Sequence, residues 1–120
     1  ALENVITEEN ADKIQAKYVI EMANGPVTPE ADEIFVRKNI ISVPDILSNS
    51  GGVTVSYFEW YQNMQNETWT KDDVLKKLEE KMKVAFEDAW KYKIEKSVDF
   101  RTACYVLAVD KVYQAGRHTK

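Results

Sequence analysis

The sequence predicts an α/β chain, with about two strands of a parallel sheet and their helices followed by a mostly helical C-terminal segment. Three observations carry this. Two short apolar runs, Tyr18-Val19-Ile20 and Ile40-Ile41-Ser42-Val43, are each followed by a turn signal, Asn24-Gly25-Pro26 and Pro44-Asp45. A helix signal lies between the runs, so they are expected to run parallel in a sheet covered on both faces. Beyond Asn49 the strand signals stop, and apolar residues recur only at helical spacing.

The elements follow in order. Thr7 is the expected N-cap of a short first helix, with Glu8 and Glu9 in the turn where negative charge suits the helix dipole; this helix ends before Lys17. The first strand leads from Tyr18 through Glu21-Met22-Ala23. Thr28 caps the next helix with Pro29 at its first position, and Ala31, Ile34 and Phe35 form its packed face. Val53, Tyr57, Trp60 and Met64 predict a helix over 50–65, broken by Asn66-Glu67-Thr68-Trp69. Thr70 with Asp73 forms a capping box for a long helix whose buried stripe is Leu75, Leu78, Met82, Ala85 and Ala89, with Phe86 and Trp90 alongside. Ser97 or Asp99 opens the last helix. Its many apolar residues (Phe100, Ala103, Val106, Leu107, Val109, Val112) predict deep burial, and Gly116 predicts its end.

Composition narrows the function classes. With 44% hydrophobic and 30% charged residues, the 120-residue chain has the make-up of a folded domain rather than a disordered one. Its 20 acidic and 16 basic residues give a net charge of −4, against a nucleic-acid partner. The lysines between Lys76 and Lys83 are interleaved with Glu79 and Glu80, as on a solvated helix face. Cys104 is the single cysteine, so no internal disulfide is possible, which fits a reducing compartment. No apolar run is long enough for a membrane span. The start, Ala1-Leu2-Glu3-Asn4, is unlike a signal peptide and reads as a cut inside a longer protein.

Two segments stand apart, Ala23-Asn24-Gly25-Pro26 and Ser48-Asn49-Ser50-Gly51-Gly52-Val53, each just beyond the carboxyl end of a strand. Ligands bind at that edge in open α/β sheets. An asparagine offers a donor and an acceptor, and Gly51-Gly52 lets a backbone approach a ligand closely at a helix start. Each segment also has a plain structural reading. Asn-Gly-Pro is an ordinary turn, Asn49 can simply cap its helix, and Ser56 can bond to the backbone one turn earlier. The aromatic run Tyr57-Phe58-Glu59-Trp60-Tyr61 reads as core packing, and His118 as a tail residue without a catalytic or metal role. No cluster with metal-ligand spacing is present, so no metal is expected.

Together, Ala23-Asn24-Gly25-Pro26-Val27-Thr28-Pro29-Glu30-Ala31-Asp32 and the run from Pro44 to Trp60 closely resemble the cofactor-domain end of hexameric glutamate dehydrogenases, in the superfamily of glutamate, leucine, phenylalanine and valine dehydrogenases. The resemblance continues through Val98-Asp99-Phe100-Arg101-Thr102-Ala103-Cys104-Tyr105-Val106-Leu107-Ala108. Val27, Ser50 and Cys104 depart from the usual threonine, alanine and alanine, and none removes a group the chemistry needs.

The resemblance implies a Rossmann-like sheet and a set of roles. Asn24 would lie by the ribose and nicotinamide end of NAD or NADP, and Asn49 between nicotinamide and substrate. Gly52 and Val53 would line the glutamate pocket, and Ser56 would hydrogen-bond the side-chain carboxylate. Superfamily members acting on apolar amino acids carry an apolar residue at the Ser56 position, so the serine argues for glutamate. These are binding and positioning roles; no catalytic acid or base is assigned within the chain.

Residues 1–58 would be the end of the dinucleotide-binding domain, and 59–120 the helices returning toward a substrate domain. The implied enzyme converts L-glutamate to 2-oxoglutarate and ammonia as a homo-oligomer, expected to be a hexamer, in the cytoplasm or, for a processed chain, the mitochondrial matrix. No Gly-x-Gly-x-x-Gly fingerprint occurs, since the glycines are Gly25, Gly51, Gly52 and Gly116. The 120 residues alone are therefore expected to be inactive and to bind NAD(P) weakly. The alternative is a non-catalytic folded or self-associating module derived from that enzyme.

Overall fold

The computed structural model describes residues 2–117. His118 lies outside them. The elements run α1 (Glu8–Ala11), β1 (Tyr18–Ile20), α2 (Pro29–Arg37), β2 (Ile41–Val43), α3 (Asp45–Ser48), α4 (Ser50–Gln65), α5 (Lys71–Lys96) and α6 (Phe100–Arg117). β1 and β2 pair in parallel, Tyr18 opposite Ile41, Val19 opposite Ser42 and Ile20 opposite Val43. An isolated parallel bridge joins Ile6 to Val27. The expected α/β order holds, with one short helix, α3, that the strand-closing Pro44-Asp45 did not signal as an element.

Local chemistry sets the boundaries. The Thr28 hydroxyl accepts from the Ala31 N–H at 3.3 Å, and Pro29 occupies the first helical position, where its missing N–H leaves no bond unmade. At the start of α5 the Thr70 hydroxyl accepts from the Asp73 N–H at 3.2 Å, while the Asp73 carboxylate accepts from the Thr70 N–H at 3.3 Å. The reciprocal capping box read from the sequence is present. Asn66 ends α4 in the left-handed region, at φ 53°, a conformation asparagine tolerates better than most residues. At α6 the Asp99 carboxylate accepts from the Thr102 N–H at 2.8 Å and from its hydroxyl at 2.5 Å, making Asp99 rather than Ser97 the cap.

Alternation along the strands divides the core. Val19 packs with Ala11, Ala31, Ile34, Phe35 and Ile40, joining α1 and α2 to one face. Ile41 and Val43 pack on the other side with Leu47, Ala89, Phe100, Ala103 and Cys104, from α3, α5 and α6. β2 is thus covered on both faces, as expected of parallel strands, whereas β1 is covered on the Val19 face alone. On β1 itself, Tyr18 and Ile20 remain 63% and 62% exposed.

Several burial expectations need correction. In α5, Ala89 is buried, but Leu75 is 49% and Phe86 40% exposed. In α6 only Phe100, Ala103 and Cys104 are buried, whereas Val109 and Val112 are 65% and 74% exposed. The two helices cover only one face of each other along their length, and apolar residues on the remaining faces meet solvent. Gly116 does not stop α6, which continues to Arg117. The aromatic run is split: Phe58 is buried, its ring centroid 5.6 Å from Trp69, while Tyr57 and Trp60 are about half exposed. The lysine-rich stretch of α5 is solvated as expected, and Lys77 reaches over the Trp69 ring at 4.7 Å.

Burial pushes the Cys104 thiol up to about 11; the Arg101 charge pulls the other way and the Asp99 charge adds to the rise. The folded chain therefore keeps this proton while an unfolded one loses it near 9.0, so the native state binds more protons. Stability attributable to this group falls as pH rises from 9.0 toward 11. At pH 8 iodoacetamide should label Cys104 slowly in the native chain and readily in denaturant, as read by intact mass; equal rates would contradict its burial.

Candidate functional site

The two singled-out segments meet. β1 and β2 run parallel, so the chain leaves both strands at the same edge, and the following residues lie side by side. The Asn49 side chain donates from Nδ2 to the Asn24 Oδ1 at 2.7 Å and to the Ala23 carbonyl at 3.3 Å. It makes no hydrogen bond to cap its own helix; its backbone joins the end of α3 to the start of α4 at φ −94°, ψ −3°. The plain capping role is thereby replaced by a bridge between loops. The bridge uses the carbonyl oxygen of Asn24 and the amino group of Asn49, so a ligand can still find donors on Asn24 and an acceptor on Asn49.

Gly25, at φ +54°, turns the first segment, and its N–H donates to the Asp45 carboxylate at 2.8 Å. A side chain there would be strained, since the left-handed region disfavours a Cβ. Gly52 is different. Its conformation is ordinary, and a Cβ added to it would meet nothing within 4 Å. Internal packing does not demand this glycine, whereas close approach of a ligand to the backbone would. Val53 is 69% exposed on the same first turn of α4.

Ser56 lies one turn beyond Gly52 and donates its hydroxyl to the Gly52 carbonyl at 3.3 Å. That is a long, exposed O–H···O contact. A hydroxyl held so weakly can turn to another partner. Asn24, Asn49, Gly52, Val53 and Ser56 thus share one edge of the molecule, along the strand ends and the first turns of α4. A groove of about 800 Å³ between α4 and α5 lies elsewhere: Tyr57, Phe58, Tyr61, Trp69 and Met82 help to line it, and none of the five edge residues does.

A charged cluster beneath this edge escaped the sequence reading. Glu21, just past β1, is 2% exposed. Its Oε1 accepts from the Ser42 hydroxyl at 2.5 Å and from Arg101 Nη2, and its Oε2 accepts from Arg101 Nη1 and the Asp45 N–H, both at 3.2 Å. Arg101 also donates to Asp32 from Nε at 2.8 Å and from Nη2 at 3.1 Å. Burial opposes the charge on Arg101, but hydrogen bonds to Asp32 and Glu21, with their charges, outweigh it and hold the guanidinium firmly protonated. The available signal was a lone carboxylate ending an otherwise apolar strand, which implies a cationic partner somewhere in the fold. Among the described residues no group of three His, Cys, Asp or Glu is placed to hold a metal ion, and no helix is long and apolar enough to cross a membrane.

Parallel strands with helices packed on both faces of β2, and polar loops converging at the strands' carboxyl ends, define the class of open α/β proteins that bind ligands at this edge. Within it, the chain belongs to the glutamate/leucine/phenylalanine/valine dehydrogenase family, whose model matches residues 1–119. It is 56% identical over 115 residues to glutamate dehydrogenase from Thermotoga maritima, covering 96% of this chain and 28% of that protein. It is 53% identical over 115 residues to the NAD-specific glutamate dehydrogenase of Clostridioides difficile, covering 96% of this chain and 27% of that one. The crystal structure of glutamate dehydrogenase from Peptoniphilus asaccharolyticus superposes with a TM-score of 0.91 at 45% identity, over 98% of this chain and 30% of that chain. A hetero-hexameric glutamate dehydrogenase from Thermus thermophilus, in a Leu-bound form, also gives 0.91, at 28% identity over 98% of this chain and 28% of that one. The chain thus spans less than a third of the length of the relatives it matches.

Proposed function

We propose that this chain forms the nicotinamide- and substrate-facing edge of a glutamate dehydrogenase, which oxidises L-glutamate to 2-oxoglutarate and ammonia with NAD or NADP. The observation that carries the reading is the 2.7 Å bond between Asn49 and Asn24, which brings two loops 25 residues apart into one polar edge at the strand ends. The open space at Gly52 supports it, because a substrate's aliphatic stem could lie against that backbone. Residues 1–58 then complete the dinucleotide-binding domain, and 59–120 return toward the substrate domain.

The dinucleotide supplies the hydride acceptor when bound. The chain's own work is to hold and orient. Asn24 offers its remaining donors to the ribose and nicotinamide end, while Asn49 stands between nicotinamide and substrate. Val53 packs on the aliphatic stem of glutamate, Gly52 leaves that stem room, and the Ser56 hydroxyl turns from the Gly52 carbonyl to the side-chain carboxylate. Such positioning lowers the entropic part of the barrier without moving a proton. The names of the relatives support glutamate as the substrate, and the hetero-hexameric relative from Thermus thermophilus supports an oligomer; a cytoplasmic homo-hexamer is our reading. The exposed apolar residues of β1 and α6 support burial against further protein.

The test compares a complete enzyme containing this segment with the 120 residues alone. The complete enzyme should reduce NAD or NADP in the presence of glutamate and release ammonia. The 120 residues should do neither and should bind either dinucleotide weakly. Glutamate-dependent turnover by the 120 residues, or none by the complete enzyme, would refute the reading.

A further inference from the structure

We propose that Arg101 is a positioning residue for the Asn24–Asn49 edge, acting through Glu21 and Asp45 without touching cofactor or substrate. This rests on the function proposed above, and it assigns a task to the ion pairs around the buried Glu21, which that function does not use.

Arg101 comes from the first turn of α6, 80 residues beyond Glu21 in the chain. Its guanidinium meets both oxygens of Glu21 with its two terminal nitrogens, and both oxygens of Asp32 with Nε and Nη2. One cation therefore serves two carboxylates from different elements, a geometry that needs a planar fork. From Glu21 the path leads to the loops: Glu21 Oε2 accepts from the Asp45 N–H, and Asp45 Oδ2 accepts from the N–H of Gly25, next to Asn24. The Glu21 carbonyl also accepts from the Ser48 hydroxyl at 2.6 Å, next to Asn49. Both site asparagines thus adjoin residues whose hydrogen bonds trace back to Glu21, and Arg101 neutralises Glu21.

Without the fork, Glu21 would be a buried carboxylate short of a partner, and it would shift toward water or another donor. Asp45 would lose its anchor, and the two asparagine amides would drift by a fraction of an ångström or more. Misplacement of that size is enough to slow a reaction that depends on alignment. A merely structural ion cluster behaves differently, because its loss would loosen α2, β2 and α6 together.

The experiment uses Arg101→Lys and Glu21→Gln in a complete enzyme carrying this segment. It reads hydrogen exchange by residue, together with steady-state kinetics. Lysine keeps the charge without the fork, and glutamine keeps an acceptor without the charge. We expect exchange over 22–26 and 48–52 to rise about tenfold while amides of β2 and the middle of α6 stay within about twofold. The dinucleotide kcat/KM should fall about tenfold, with kcat contributing to the loss. Uniform loss of protection, or failure of both variants to fold, makes Arg101 a structural residue and overturns the proposal. Unchanged loop exchange with unchanged kinetics overturns it equally. A parent enzyme that does not oxidise glutamate would sink the functional reading instead, while the exchange pattern still decides the role of Arg101.

Discussion

Ser56→Val in a complete enzyme carrying this segment should lower kcat/KM for glutamate about ten- to a hundredfold while norvaline holds steady or improves. A hydrogen bond to a charged group contributes about 1.5–3 kcal/mol, and that range sets the factor. Valine is larger than serine, but Ser56 is exposed, so the helix has room for it and the change removes a hydroxyl rather than a packing contact. The bond lost inside the chain is only the 3.3 Å contact to the Gly52 carbonyl, which has little bearing on stability. The melting temperature should therefore stay within a few degrees of the parent's. Because Ser56 stands beyond the nicotinamide in our assignment, the dinucleotide KM should barely move. A mutant that kept its preference for glutamate over norvaline would leave Ser56 as an ordinary helix serine bonded to the preceding turn.

Asn49→Ala should have an effect of similar size with a different signature. The substitution deletes the donor to Asn24 at 2.7 Å and to the Ala23 carbonyl at 3.3 Å, uncoupling the loops that follow the two strands. Two such bonds contribute roughly 1–3 kcal/mol together, or about five- to 150-fold. Since Asn49 is proposed to lie between nicotinamide and substrate, kcat/KM should fall for glutamate and for the dinucleotide alike, in contrast to Ser56→Val. Asn49→Asp is the informative partner, because it keeps the size and the acceptor but replaces the donor that makes the bridge. It should behave like alanine or worse, because the carboxylate would then face the Ala23 carbonyl, which can only accept. If Asn49→Asp retained parent kinetics for both substrates, the bridge would have no part in catalysis.

The amino-acid sequence by itself determined the elements other than α3, and the two loops. Thr28-Pro29 and Thr70 with Asp73 fix helix starts through contacts three residues apart, and such local chemistry can be read without coordinates. The apolar runs ended by Asn24-Gly25-Pro26 and Pro44-Asp45 gave two parallel strands, and parallel strands bring their following loops to one edge. Asn24 and Asn49 were singled out on that ground and by resemblance.

Other features belong to the tertiary structure alone. The sequence left Asn49 between capping its helix and meeting a ligand; that its amide crosses to Asn24 follows only from the meeting of the loops. The burial of α6 was overestimated because periodicity shows which positions are apolar, not which neighbouring faces exist to cover them; Val109 and Val112 stand on an uncovered one. Gly116 was misjudged as a stop because a glycine only permits a helix to end. The cluster of Glu21, Asp32 and Arg101 joins residues up to 80 positions apart, and no local rule pairs charges at that range. Side-chain patterns record what each element prefers, whereas the pairing of distant charges exists only once the sheet and its covering helices have fixed their distances.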